Sequence, residues 1–161
     1  MFPYVCNAAK SVLAADAASR FRWDGLPPRG GRLKGFPPHS FQRVLLDAPC
    51  SGTGQRPFFA LRGPPVNPEA SADYQRVLLQ AGWELLAPGG RLVYSTCSIF
   101  REENEDNVRW ALDTLPGCTV ADVLLPSLQY FGNKGIDGLG RRFDPDRCPT
   151  TGFFFAAFDK R

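Results

Sequence analysis

Apolar and polar positions along the chain sort into short apolar runs that stop at Gly, Pro and Ser clusters, separated by stretches with helical spacing. Val44 to Leu46 is a compact apolar run, of the kind a parallel sheet buries on both faces. The Gly/Pro/Ser-rich stretch after it predicts a loop, and Asn67-Pro68 offers a helix start with proline in the first turn. Tyr74, Val77, Leu78, Ala81 and Leu85 recur at helical spacing and predict that helix's buried face. "APGG", Ala87 to Gly90, ends it, and "RLVYST" is β-branched and aromatic enough to be the next strand.

The rest of the chain reads the same way. Ala8 to Ala18 is alanine-rich and predicts a helix, and "RFRWDG" predicts a short strand ending at Asp24. Gly25 to Ser40, with two Pro-Pro pairs and repeated glycine, predicts a loop. After Cys97 and Ser98, "REENEDNVRWALDTL" predicts a helix. Its carboxylates Glu102, Glu103, Glu105 and Asp106 crowd the first turns, where the macrodipole favours them, and Val108, Ala111, Leu112 and Leu115 form the buried face. "CTVADVLL" predicts a strand, "GNKGIDGLGRRFDPDRCPTTG" a loop, and "FFFAAF", Phe153 to Phe158, a closing strand.

Length and composition narrow the class. A chain of 161 residues has room for one domain or part of one. Ordinary proportions of hydrophobic (43%) and charged (22%) residues exclude wholesale disorder. Apolar runs far below a membrane span, and an N-terminus without a signal-peptide pattern, lead to the expectation of a cytoplasmic protein. Five irregularly spaced cysteines, no C-x-x-C and a single histidine, His39, argue against a disulfide framework and against a metal site. Residues 1–62 hold nine Lys/Arg against three Asp/Glu, so this part of the chain suits a polyanionic partner or forms a solvated basic loop.

The two sequence stretches that carry chemistry are "DAPCSGTG", Asp47 to Gly54, and "YSTCS", Tyr94 to Ser98. Two parallel strands joined by a crossover helix end at the same sheet edge, where open α/β folds hold their ligands. That topology brings Cys50, Cys97 and Asp47 together. A thiolate beside backbone N–H groups and the start of a helix at Arg101 has a lowered pKa and wants an electrophile. A carboxylic acid serves a ring nitrogen, and a second thiol accepts a proton. Two other readings stay open: both cysteines as buried small residues, or a reversible disulfide between them.

These two stretches resemble the paired signature of the Sun-type (NSun) RNA cytosine-5 methyltransferases. "LLAPGGRLVYSTCS", "EENE" and the terminal "TGFFFAAF" extend the resemblance over nearly the whole chain. "GQRP", Gly54 to Pro57, is most similar to the sixth NSun branch, whose substrates are tRNAs methylated near the acceptor end. The resemblance implies S-adenosyl-L-methionine as cofactor and RNA, with tRNA foremost, as partner. It implies that Cys97 adds to C6 of the target cytosine. Cys50 would assist loss of the C5 proton and enzyme release, while Asp47 would contact cytosine N3 and border the cofactor. Asp24 would read the cofactor's adenine, or else cap a turn. Arg56 and Arg62 are candidates for phosphate contact or plain surface arginines.

The resemblance also implies an α/β fold: part of a Rossmann-like class I methyltransferase domain, with a mostly parallel sheet and a C-terminal antiparallel strand. A Gly-rich cofactor loop of the type "CAAPGGKT" and its strands find no match. Residues 1–161 are therefore expected to be the C-terminal part of a single catalytic domain, binding S-adenosylmethionine weakly or not at all alone. A non-catalytic RNA- or protein-binding form is the alternative.

Overall fold

The computed structural model describes residues 8–20, 22, 34–55, 67–122, 132–146 and 150–161. The expected strand ending at Asp24, Arg56, Arg62 and most of the Gly25 to Ser40 stretch lie outside the described residues. Strand β1 (Phe41–Asp47) is followed by helix α2 (Pro68–Leu85), strand β2 (Leu86–Thr96), helix α3 (Glu105–Thr114), and strands β3 (Cys118–Ala121), β4 (Asn133–Lys134), β5 (Arg141–Phe143) and β6 (Phe153–Lys160). A short helix, α1 (Ala15–Ser19), precedes them. Among the described residues no helix is long and apolar enough to cross a membrane.

Asn67 caps α2 as its position before a proline suggests: its side chain accepts a hydrogen bond from the Ala70 amide at 2.9 Å. The strand order is β1-β2-β6-β5-β4, with β3 also pairing β6. The β1–β2 pair is parallel, with Val44 opposite Leu92 and Asp47 opposite Ser95. From β2 onward the pairings are antiparallel, beginning with the closing strand β6. The helix stops at Leu85 and the strand begins at once. Ala87 to Gly90 bulges from it where the β1–β2 register slips, with Gly89 in the left-handed region at φ 73°.

Helices α2 and α3 cover one sheet face. Leu79, Trp83, Val108, Ala111 and Leu115 pack there on Leu92 and Tyr94 of β2 and Phe154, Ala156 and Phe158 of β6. The Lys160 ammonium closes the far end, donating to the carbonyls of Trp83 (2.6 Å) and Leu86 (2.9 Å) at the C-terminus of α2. Burial pushes its pKa down.

Four expectations need correction. Ala8 to Ala18 is no continuous helix. A 3₁₀ turn (Ala8–Lys10) and α1 flank an extended stretch in which Val12 bridges Phe36, so long-range backbone pairing overrides alanine's helix propensity. The buried face of α2 is also rotated. Leu78, Ala81 and Leu85 are buried, but Tyr74 and Val77 are about half exposed, and Gln75 is buried in their place. Leu45 is 72% exposed because β1 ends the strand order and packs through Val44 and Leu46 instead. The stretch after Phe131 holds the antiparallel β4–β5 pair rather than loop alone.

The rotated face of α2 is testable by urea titration. Leu79→Ala should cost about 2–5 kcal/mol, as for a filled core site. Val77→Ala should stay within about 0.5 kcal/mol of wild type. The reverse order would restore the face expected from periodicity.

Candidate active site

The parallel register of β1 and β2 carries both cysteine loops to one sheet edge. Ala48 N donates to Ser95 O at 3.0 Å, which keeps the two chains paired to the end of the ladder. Ser95 Oγ then donates to Asp47 Oδ1 at 2.9 Å and orients that exposed carboxylate. Beyond this point the loops converge: Gly54 N donates to Cys97 O at 2.8 Å, and Gly152 N to Gly54 O at 2.6 Å. A Cβ on Gly54 would sit 2.7 Å from Gly152 Cα, so only glycine lets the three backbones meet.

The sulfurs of Cys50 and Cys97 lie 3.3 Å apart. The Cys97 amide points at Cys50 Sγ (3.4 Å), and Gln55 Nε2 donates to Cys97 Sγ (3.4 Å). Burial first, and then the hydrogen bond with Cys97, push the Cys50 thiol from its ordinary 9.0 up to about 11, against weaker pulls from the Gly52 and Cys97 amides. At neutral pH Cys50 therefore carries its proton, and either sulfur can donate across the 3.3 Å contact. From outside the pair, one side-chain donor, the Gln55 amide, reaches the Cys97 sulfur. The helix expected to begin at Arg101 begins at Glu105, so the donor near Cys97 is Gln55 rather than a helix terminus.

Beneath the loops lies a set of buried polar residues. Glu103, Asn104 and Glu105 are all 0% exposed, and each holds a different segment. Glu103 accepts from Ser51 N (2.9 Å), Ser51 Oγ (2.6 Å) and Gln75 Nε2 (3.1 Å), while Gln75 also reaches Pro49 O at 2.9 Å. Asn104 takes the Thr96 hydroxyl at 2.6 Å and gives a hydrogen bond to Ser98 O at 2.9 Å. Glu105 pairs with Arg142, whose Nη1 also donates to Ile99 O at 2.9 Å. The Tyr94 hydroxyl sits 2.6 Å from Glu103 O and 2.9 Å from Gln75 Oε1, and burial pushes its pKa up.

Cys50, Cys97 and Asp47 thus converge at the sheet edge, and Asp24 lies outside the described residues. The acidic cluster was expected in the first turns of a helix, whereas Glu102 and Glu103 precede α3, and the buried Glu103 and Glu105 bind the Cys50 loop and Arg142. One signal was available for Gln75: it is a polar residue within the apolar stripe of α2. Gln55 stood in the quoted "GQRP", but nothing in its spacing pointed to the thiol.

A family model described as 16S rRNA methyltransferase RsmB/F matches residues 10–159. The mouse tRNA (cytosine(72)-C(5))-methyltransferase NSUN6 is 44% identical over 153 residues, covering 89% of this chain and 29% of the relative. Ribosomal RNA small subunit methyltransferase F of Shigella flexneri serotype 5b is 47% identical over 138 residues, covering 81% and 28%. The crystal structure of NSun6 from Pyrococcus horikoshii with SFG superposes at a TM-score of 0.63 with 38% identity, covering 73% of this chain and 29% of that one. The chain spans under a third of the length of these relatives. With the family model running through both cysteine loops and almost from end to end, the chain belongs to the RsmB/F, Sun-type, methyltransferase family.

Proposed function

We propose that this chain carries the catalytic thiols of an RNA cytosine-5 methyltransferase acting on tRNA. The observation that bears most of the weight is the 3.3 Å approach of Cys50 and Cys97 at the sheet edge where β1 ends in Asp47. tRNA as substrate draws on the mouse and human NSUN6 relatives, at 44% and 42% identity.

In this reading the Cys97 thiolate adds its electron pair to C6 of the cytosine. The C5–C6 double-bond electrons move toward N3, where the acid form of Asp47, oriented by Ser95, lends a proton and takes it back when the double bond re-forms. C5 is now nucleophilic. S-adenosyl-L-methionine, when bound, supplies the methyl group that C5 takes. Asp47, exposed at the carboxyl end of a parallel strand, stands at the edge where open α/β folds hold a ligand and would border that cofactor. Cys50 then takes part in removing the C5 proton. As that proton leaves, its electrons restore the double bond and expel Cys97 as thiolate.

The proton state of Cys50 suits this order of events. Before attack, its S–H stabilises the charge on Cys97. Once Cys97 is bonded to C6, the hydrogen bond and charge that raised the Cys50 pKa are gone, and burial is left against the pulls of the Gly52 and Cys97 amides. Cys50 then gives up its own proton to solvent more readily, and as thiolate it can take the C5 proton.

Two measurements test this reading. RNA containing 5-azacytosine should give a denaturant-stable protein adduct that is abolished by Cys97→Ala and survives in Cys50→Ala. Adduct formation by Cys97→Ala at the wild-type level would refute the assignment. Iodoacetamide alkylation of Cys50, followed by mass spectrometry against pH, should titrate near 11 in wild type. In Cys97→Ala the midpoint should fall, because the hydrogen bond and charge of Cys97 that raise it are removed. An unshifted midpoint would remove the thiol–thiol coupling from the mechanism.

A further inference from the structure

We propose that Glu103 is the positioning residue for Cys50, setting its sulfur against Cys97. The catalytic meaning of this inference rests on the roles proposed above for the two thiols; its geometry does not. Glu103 is fully buried and touches neither sulfur. Its carboxylate grips the residue after Cys50 twice, through Ser51 N at 2.9 Å and Ser51 Oγ at 2.6 Å. Through Gln75 Nε2, which bonds both Glu103 Oε1 (3.1 Å) and Pro49 O (2.9 Å), it also holds the residue before Cys50. The cysteine is therefore pinned on either side by a single carboxylate.

The same carboxylate connects Cys50 to the Cys97 loop. Ser51 Oγ lies 3.0 Å from Ser98 Oγ, and Thr53 Oγ1 lies 3.4 Å from Ser98 Oγ and accepts from Ile99 N at 3.2 Å. The Glu103 backbone is fixed in turn, its carbonyl resting on the Tyr94 hydroxyl at 2.6 Å. Tyr94 stands on strand β2, three residues before Cys97. Each link from that strand to Cys50 is a short polar contact in a buried site, where losing one partner leaves the others unsatisfied. Removing the carboxylate frees the Pro49 to Ser51 segment while the apolar core beneath it stays filled.

The test reads the distance between the sulfurs, not methyl transfer. Diamide takes up the two hydrogens that the pair gives up as an S–S bond forms, and peptide mapping of the folded chain follows the Cys50–Cys97 link. Wild type should oxidise readily. Glu103→Ala should slow the link about tenfold, the loss expected for a charged hydrogen-bond anchor. Glu103→Gln keeps an acceptor for Ser51 N and Gln75 and should stay within about threefold of wild type. Cys118, half-buried on β3, is the internal control: its alkylation rate should not change, whereas general loosening would raise it. An unchanged Cys50–Cys97 rate in Glu103→Ala would overturn the inference. If that variant does not fold, Ser51→Ala decides instead, with about threefold slowing expected and an unaltered rate overturning it. Failure of the 5-azacytosine adduct with a normal oxidation pattern would count against the proposed reaction alone.

Discussion

The structure around the two thiols depends on the need to satisfy polar groups that have been taken out of water. Glu103, Asn104 and Glu105 are consecutive and fully buried, and each finds its partners in a different part of the chain: the Cys50 loop, the Cys97 loop and the β4–β5 pair. An unpaired carboxylate or amide at such depth costs several times what a paired one contributes, so each contact is close to obligatory. No buried side-chain nitrogen or oxygen among the described residues lacks a hydrogen bond. Three segments far apart in sequence are thereby held to one short stretch, just where α3 begins.

This arrangement divides labour between the layers. The apolar layer of α2, α3, β2 and β6 sets where the strands end, but hydrophobic contact is non-directional and does not orient a sulfur. Parallel register brings the loops to the same edge, and the glycine at position 54 lets their backbones touch. Orientation then comes from the polar layer, whose distances of 2.6 to 3.1 Å around Glu103 leave little slack. Arg142 extends the layer to β5, bringing a hairpin from near the C-terminal end of the chain against Ile99.

Much of the architecture was legible because it depends on local signals. Asn67-Pro68 marked the start of α2 by capping chemistry, and the apolar runs marked β1, β2 and β6. The meeting of Cys50 and Cys97 followed from topology, since two parallel strands must end together. The polar layer was not legible, because an acidic run before a helix has the same composition whether it is solvated or buried. Nor were β4 and β5, at two and three residues, long enough to show a period, and glycines on either side read as loop. The alanine-rich segment misled for the opposite reason: its local preference was clear, but the bridge from Val12 to Phe36 outweighed it.

The proton on Cys50 draws these layers into one account. Burial is the largest cause of its raised pKa, and the half-buried loop that holds it is kept in place from beneath by Glu103. Moving the loop outward would hydrate the thiol, lower its pKa and lengthen the contact with Cys97, so position and proton affinity change together. A scaffold made only of apolar side chains would keep the burial without the alignment. One made only of surface polar contacts would keep the alignment without the burial. A buried carboxylate with three donors supplies both, which gives a physical reason for placing an expensive ionisable group under a thiol that it never touches.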